Sequence, residues 1–203
     1  MHKNILTAEQ LGMLPLIKQF SPDFYLVGGT ALALQYGHRR SIDFDMFTDK
    51  PFENEGILKK IRKNHTINQK HIDEQNQLTL VADGIKMTFY QYDFPIIHNE
   101  ALDDIVKLPD DLSIAAMKAF ALGHRAKWKD YVDLYFVFKN HSIQEVIDCA
   151  HKYYGEGEFN AKLFRGQLDY HVDINYSESV DWMTGFETSP KEILETLSKI
   201  SID

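Results

Sequence analysis

The chain has a single cysteine, no apolar run near the roughly 18 residues that a membrane span needs, and no excess of cationic residues. One cysteine excludes an internal disulfide, and Cys149, set among apolar neighbours in "EVIDCAHKYY", reads as a packed thiol. The N-terminus "MHKNILTAEQ" has neither a long apolar core nor a small-residue cleavage site, so the expectation is a cytoplasmic protein with no membrane partner. With 22 Lys and Arg against 30 Asp and Glu, the formal charge of -8 argues against broad, sequence-independent adhesion to nucleic acid or anionic lipid. A local basic site on an acidic protein stays compatible with that charge. None of the nine histidines forms an i,i+4 pair beside an acid, so no zinc site is indicated. There is no repeat and no low-complexity tract.

What is present suffices for one good core. The 203 residues, 44% hydrophobic and 26% charged, fit one domain with a small second one. "LTAEQLGMLPLIKQF" opens with Thr7 and Gln10 at capping-box spacing and carries Leu11, Leu14 and Ile17 at helical intervals, which predicts a helix despite Pro15. "FYLVGG" then reads as a short strand, "TALALQY" as a helix and "SIDFDMF" as an alternating strand. A further helix is expected in "PFENEGILKKIRKN", followed by strands in "HTINQKHI", "NQLTLVA" and "IKMTFYQY", the last two joined by an Asp83-Gly84 hairpin turn. From Asp110 the pattern turns helical, in "DDLSIAAMKAFALGHR", "WKDYVDLYFVFKNH", "SIQEVIDCAHKYYG" and "SPKEILETLSKI", with capping boxes at Ser142/Glu145 and Ser189/Glu192. "DYHVDINYSESVDWMTGFETSP" reads as an irregular connection. The expected fold is therefore α+β, a mixed sheet with flanking helices over 1–108 followed by a helical region over 109–203.

The chemistry concentrates in "LVGGTALALQYGHRRSIDFDMF". Two glycines at a strand end let backbone amides approach a ligand, and the N-terminus of the following helix favours an anion such as phosphate. Asp43 and Asp45 stand two apart on a strand, so they share a face. On a buried face that arrangement is costly unless a cation neutralises them, and magnesium suits one or two carboxylates completed by substrate phosphates. The alternative is a solvated strand face backed by Ile42, Phe44 and Met46. Arg39 can grip phosphate oxygens with its planar fork, whereas Arg40 reads as a surface ion pair.

Taken together, "GGTALALQYGHRRSIDFD" resembles the nucleotidyltransferase superfamily, with its strand, Gly-Gly turn, short helix and Asp-x-Asp strand. More narrowly, "VGGTALAL", "HRRSIDFDMF" and "MKAFALGHRAKWKDYVDLY" are similar to the AbiEii/AbiGii toxin family of nucleotidyltransferases, over roughly Phe24 to Phe138. The resemblance implies a polymerase-beta-like sheet, NTP as substrate, Mg2+ or Mn2+, and transfer of a nucleotidyl group to an acceptor such as tRNA, another RNA or a protein. It also implies a toxin–antitoxin or abortive-infection role with a cognate antitoxin as partner. Gly28, Gly29 and Thr30 would meet the triphosphate, Asp43 and Asp45 would hold the metal, and Arg39 and Ser41 match the lead-in to the acid pair.

From the second half, Lys118 and Arg125 are seven residues apart and would share one helical face, offering cations to a triphosphate. Asp130 and Asp133, three apart, share a side of the next helix, where Asp130 can orient Lys118 or approach the metal. In the resembling family this lysine and aspartate are functional, which marks Lys118 and Asp130 as catalytic candidates; Asp133 and Lys129 read equally well as structural ion pairs. Two-metal chemistry usually uses a third carboxylate on a later strand, and Thr88 occupies that place here. Either two aspartates suffice, or Asp130 completes the site, or the protein binds nucleotide without turnover in a regulatory role. The aromatic run in "DLYFVF" reads as helix core, and Lys59 to Lys63 as a solvated helix end.

Overall fold

The computed structural model describes residues 1–203. After a short 3-10 turn at Lys3–Ile5, helix α1 spans Ala8–Phe20, and Thr7 and Gln10 form both halves of the expected capping box. Pro15 lies on its solvent side, where the missing N–H leaves no buried carbonyl stranded. Leu11 also faces solvent; the buried stripe is Met13, Leu14, Leu16, Ile17 and Phe20.

Strand β1 (Tyr25–Val27) runs straight into α2 (Gly28–Tyr36), which ends at Gly37 in the left-handed conformation, φ 68°. Strand β2 (Phe44–Thr48), helix α3 (Asn54–Arg62) and strands β3 (Ile67–Glu74), β4 (Gln77–Ala82) and β5 (Ile85–Gln91) follow. Asp83 and Gly84 both have positive φ, 47° and 80°, as the tight hairpin turn between β4 and β5 requires. The Asp83 carboxylate fixes that turn by accepting from the Thr66 amide at 2.9 Å and pairing with His65 Nδ1 at 2.8 Å.

The five strands order as β1-β2-β5-β4-β3, with β2 and β5 parallel and every other pair antiparallel. One sheet face carries Leu26, Phe44, Met46, Leu78, Leu80, Met87 and Phe89, all buried in the main core. The opposite face places Val27, Asp45, Thr88 and Thr79 side by side in one row across four strands. The alternation predicted for "SIDFDMF" is thus realised, except that Ile42 lies outside the core and is 57% exposed.

A small hairpin of β6 (Glu100–Leu102) and β7 (Val106–Leu108), turned at Asp103 with φ 48°, precedes the helices and was not foreseen from the sequence. Helices α4 (Asp111–Leu122), α5 (Trp128–Val137), α6 (Ile143–Glu158), α7 (Ala161–Asp169) and α8 (Pro190–Ser201) complete the chain. Of these α7 was missed, because only Phe164 and Leu168 of its nine residues are buried. The Ser142/Glu145 capping box is complete, whereas at Ser189 only the serine half forms, since the Glu192 carboxylate accepts the Tyr135 hydroxyl at 2.8 Å instead. One continuous apolar cluster joins the sheet's core face to α4, α5, α6 and α8. A smaller cluster on the opposite face sets Met117 of α4 and Tyr153 of α6 against Tyr25, Val27 and Ile96. The helices therefore border the face that carries Asp45.

Candidate active site

The strand-to-helix turn explains its own glycines. Gly28 has φ 73°, and a Cβ on it would stand 2.5 Å from Asp45 Oδ2. A Cβ on Gly29 would stand 2.5 Å from Arg39 Nη2 and 3.1 Å from Ser41 Oγ. The pair thus admits the Asp45 carboxylate and the Arg39 guanidinium against bare backbone. No side chain caps α2 at Val27, so the leading N–H groups of this helix lack a side-chain acceptor and favour an anion.

Asp43 and Asp45 lie together at the head of β2, both partly exposed. Burial raises the pKa of Asp45, the charge of Asp43 raises it further, and the Thr88 hydroxyl, Lys86 and Arg125 pull it back down. Lys86 Nζ approaches Asp43 Oδ2 at 3.4 Å. A desolvated carboxylate, Asp45, beside the like charge of Asp43 creates the electrostatic situation that a divalent cation relieves, and their hard oxygens suit Mg2+ or Mn2+. The acid pair therefore fits such an ion. No group of three His, Cys, Asp or Glu residues is placed to hold a metal, so neither Asp83, Asp93 nor Asp130 supplies a third acid. The strand pairing sets Thr88 directly beside Asp45, in the position where the sequence expectation put the missing carboxylate.

Behind this surface lies a buried ionic network centred on Asp133. Arg39 donates to it through Nε at 2.7 Å and Nη2 at 2.8 Å, His38 Nε2 pairs with it at 2.8 Å, and Lys118 Nζ lies 2.7 Å from its Oδ2. Lys118 also donates to Asp130 at 2.6 Å. Burial alone would raise the Asp133 pKa, but Arg39, Lys118 and His38 together hold it well below the usual carboxylate range. Burial lowers the His38 pKa and so favours the neutral ring, whose Nε2 faces the carboxylate while its buried Nδ1 has no partner. The irregular segment before α8 closes over this loop. Its backbone meets it where Arg40 N donates to Asp181 at 2.7 Å and Met183 N to His38 at 3.1 Å.

These contacts locate each expected site residue. Gly28 meets Asp45 at the turn, Asp43 lies near enough to raise the Asp45 pKa, and Gly29 lies against Arg39 and Ser41. The Thr30 hydroxyl instead donates to the Asp43 carbonyl, tying α2 to the approach to β2. Gln10 Nε2 donates to the Ser41 carbonyl at 2.8 Å, fixing the same loop from α1. Arg39 is buried and spends its fork on Asp133, while Arg40 is half-exposed and faces Asp181 at 3.7 Å. Lys118 is buried between Asp130 and Asp133. Helix α4 stops at Leu122, so Arg125 does not share a helical face with Lys118; it lies in the following loop with Nε 3.5 Å from Asp130 Oδ2. The cations that remain open to solvent beside the acids are Lys86 and Arg125, with side chains 46% and 54% exposed. Sequence reasoning passed over Lys86 and His38. The signal for Lys86 was its place two residues before Thr88, which puts both on one face of β5.

A mixed sheet with an acid pair at the head of β2, Asp45 on the strand and Asp43 just before it, closed against a glycine turn at the N-terminus of α2, is the architecture of a nucleotidyltransferase. Comparison with known proteins agrees. MenT4, a nucleotidyltransferase toxin from Mycobacterium tuberculosis H37Rv, superposes with a TM-score of 0.60 at 12% identity, covering 94% of this chain and 80% of that one. JHP933 from Helicobacter pylori gives a TM-score of 0.56 at 16% identity, covering 97% and 92%. At these identities the likeness shows the fold. In sequence, residues 16–109 match the family described as "Nucleotidyl transferase AbiEii toxin, Type IV TA system". A protein of Aquifex aeolicus strain VF5, "Uncharacterized protein aq_aa25", is 38% identical over 144 residues, covering 68% of this chain and 69% of its own length. The chain belongs to the AbiEii family of nucleotidyltransferase toxins. None of its helices is long and apolar enough to cross a membrane.

Proposed function

We propose that this enzyme moves a nucleoside monophosphate from an NTP to an RNA or protein acceptor with Mg2+ or Mn2+, as the toxin of a two-component module whose cognate antitoxin is its partner. The observation that carries the reading is the Asp45 carboxylate, desolvated beside Asp43 and set against bare backbone at Gly28. The uncapped start of α2 receives phosphate oxygens. Asp43 and Asp45 hold the divalent ion, which when bound neutralises phosphate charge and favours the ionised form of an attacking hydroxyl. Lys86 and Arg125 face the same space and meet the remaining phosphate charge. Arg39, Lys118, Asp130 and Asp133 work from behind, fixing the turn and the helices that border it.

A second reading, a nucleotide-binding regulator without turnover, is favoured by one observation, Thr88 in place of a third carboxylate. Incubating the protein and Asp45→Asn with each α-labelled NTP, Mg2+ and cellular RNA and protein separates the two. Label in a nuclease- or protease-sensitive product, lost in the variant, supports transfer and names the acceptor class. Metal-dependent NTP binding with no labelled product supports the second reading.

A further inference from the structure

Resting on the proposed metal-dependent reading, we propose that the Asp43–Asp45 site takes one divalent cation rather than two, and that the Lys86 ammonium supplies the charge of the other. Three observations carry this. The carboxylates number two, with Thr88 directly beside Asp45 on the neighbouring strand and no third acidic, histidine or cysteine ligand in reach. A hydroxyl is a neutral donor and cannot offset a second divalent charge. Lys86 projects from β5 on the same face as Thr88 and already sits 3.4 Å from Asp43 Oδ2, where it offsets part of the acid pair's charge.

The charge balance explains why the two substitutions belong together. Three carboxylates with two divalent ions present a net single positive charge to a triphosphate. Two carboxylates, one divalent ion and Lys86, the cation in direct contact with the acid pair, present the same charge, to which Arg125 adds from its place against Asp130. With Lys86 in place, a second divalent ion would leave the two-acid site with about three net positive charges, against one in the three-carboxylate arrangement. Threonine at 88 and lysine at 86 thus form a compensated pair.

The test counts ions directly. Mn2+ binding is followed by electron paramagnetic resonance on the full chain, alone and saturated with non-hydrolysable α,β-methylene NTPs, so no turnover is needed. The wild type is expected to hold one Mn2+ per nucleotide complex, and Thr88→Asp two. Lys86 is half-exposed and outside the core, so Lys86→Met should fold normally; removing its repulsion is expected to tighten Mn2+ binding to the nucleotide-free protein by about tenfold. Two ions in the wild-type complex overturn the one-ion inference, and one ion still in Thr88→Asp, or unchanged or weaker binding in Lys86→Met, overturns the compensation by Thr88 and Lys86; none of these touches the metal-dependent reading. No Mn2+ bound with or without nucleotide overturns the metal-dependent reading as well.

Discussion

The Arg39 guanidinium and the Asp133 carboxylate meet at two points, 2.7 and 2.8 Å, with both side chains almost wholly buried. Lys118 shares the same carboxylate, so one acid neutralises two buried cations with the help of Asp130. Asp133→Ala leaves Arg39 and Lys118 short of a counter-charge and is expected to destabilise the fold by about 3–5 kcal/mol, read as a fall in the urea midpoint. The sign of the pH effect follows from the lowered pKa. Its stabilisation is fully present above the unfolded value of 3.8 and is lost as pH falls through the depressed folded value, so the wild type loses stability below about pH 4 through this group while Asp133→Ala lacks that component.

Asp45 behaves in the opposite sense. Its pKa is raised in the fold, so ionising it at neutral pH costs stability, and Asp45→Asn removes that cost together with the repulsion from Asp43. Thermal denaturation without metal should show the variant about 2–4 °C more stable than the wild type, the shift that ~1 kcal/mol gives in a chain of this size. Added Mn2+ should raise the midpoint of the wild type and leave the variant where it was. A variant no more stable than wild type without metal contradicts the electrostatic reading of the site.

Gly28→Ala tests the turn. Its positive φ and the 2.5 Å approach to Asp45 Oδ2 mean that a methyl group both strains the backbone and displaces the carboxylate. Expected are a stability loss of about 1–2 kcal/mol and a larger, separable loss of Mn2+ affinity. A Mn2+ titration unchanged from wild type would show that the carboxylate does not need the bare backbone.

Arg125 is exposed and held only at 3.5 Å by Asp130, so Arg125→Gln should change stability by no more than about 0.5 kcal/mol. Its charge nonetheless reaches Asp45, and KM for the NTP is expected to rise by roughly tenfold while the Mn2+ count stays the same. Steady-state kinetics at saturating acceptor reads both quantities.

The sheet was legible in the sequence because "FYLVGG", "SIDFDMF" and the Asp83-Gly84 hairpin combine alternation with turn residues of fixed conformation. The Asp43–Asp45 pair and the place of Thr88 were legible for the same reason, since strand spacing sets facing. The partners of Arg39 were not. A residue 94 positions away in sequence, Asp133, claims its guanidinium, and no local pattern announces so distant a pairing. Likewise the break after Leu122 took Arg125 off the helical face that its spacing to Lys118 suggested, although Asp130 still gathers both cations. The three-residue strands β6 and β7 are too short to show a period, and α7, although Phe164 and Leu168 stand one turn apart on it, is a nine-residue helix with only those two positions buried.

The most direct measurement compares one NTP labelled at the α-phosphate with the same NTP labelled at the γ-phosphate, using wild type and Asp45→Asn with Mg2+ and the acceptor fraction. Nucleotidyl transfer breaks the bond between the α-phosphorus and the bridging oxygen to the β-phosphate, forms a bond from the acceptor oxygen to the α-phosphorus, and releases pyrophosphate. The account predicts that α-label enters the acceptor, that γ-label leaves as pyrophosphate, and that Asp45→Asn transfers neither. Label entering from the γ-position, or transfer undiminished in Asp45→Asn, would contradict it.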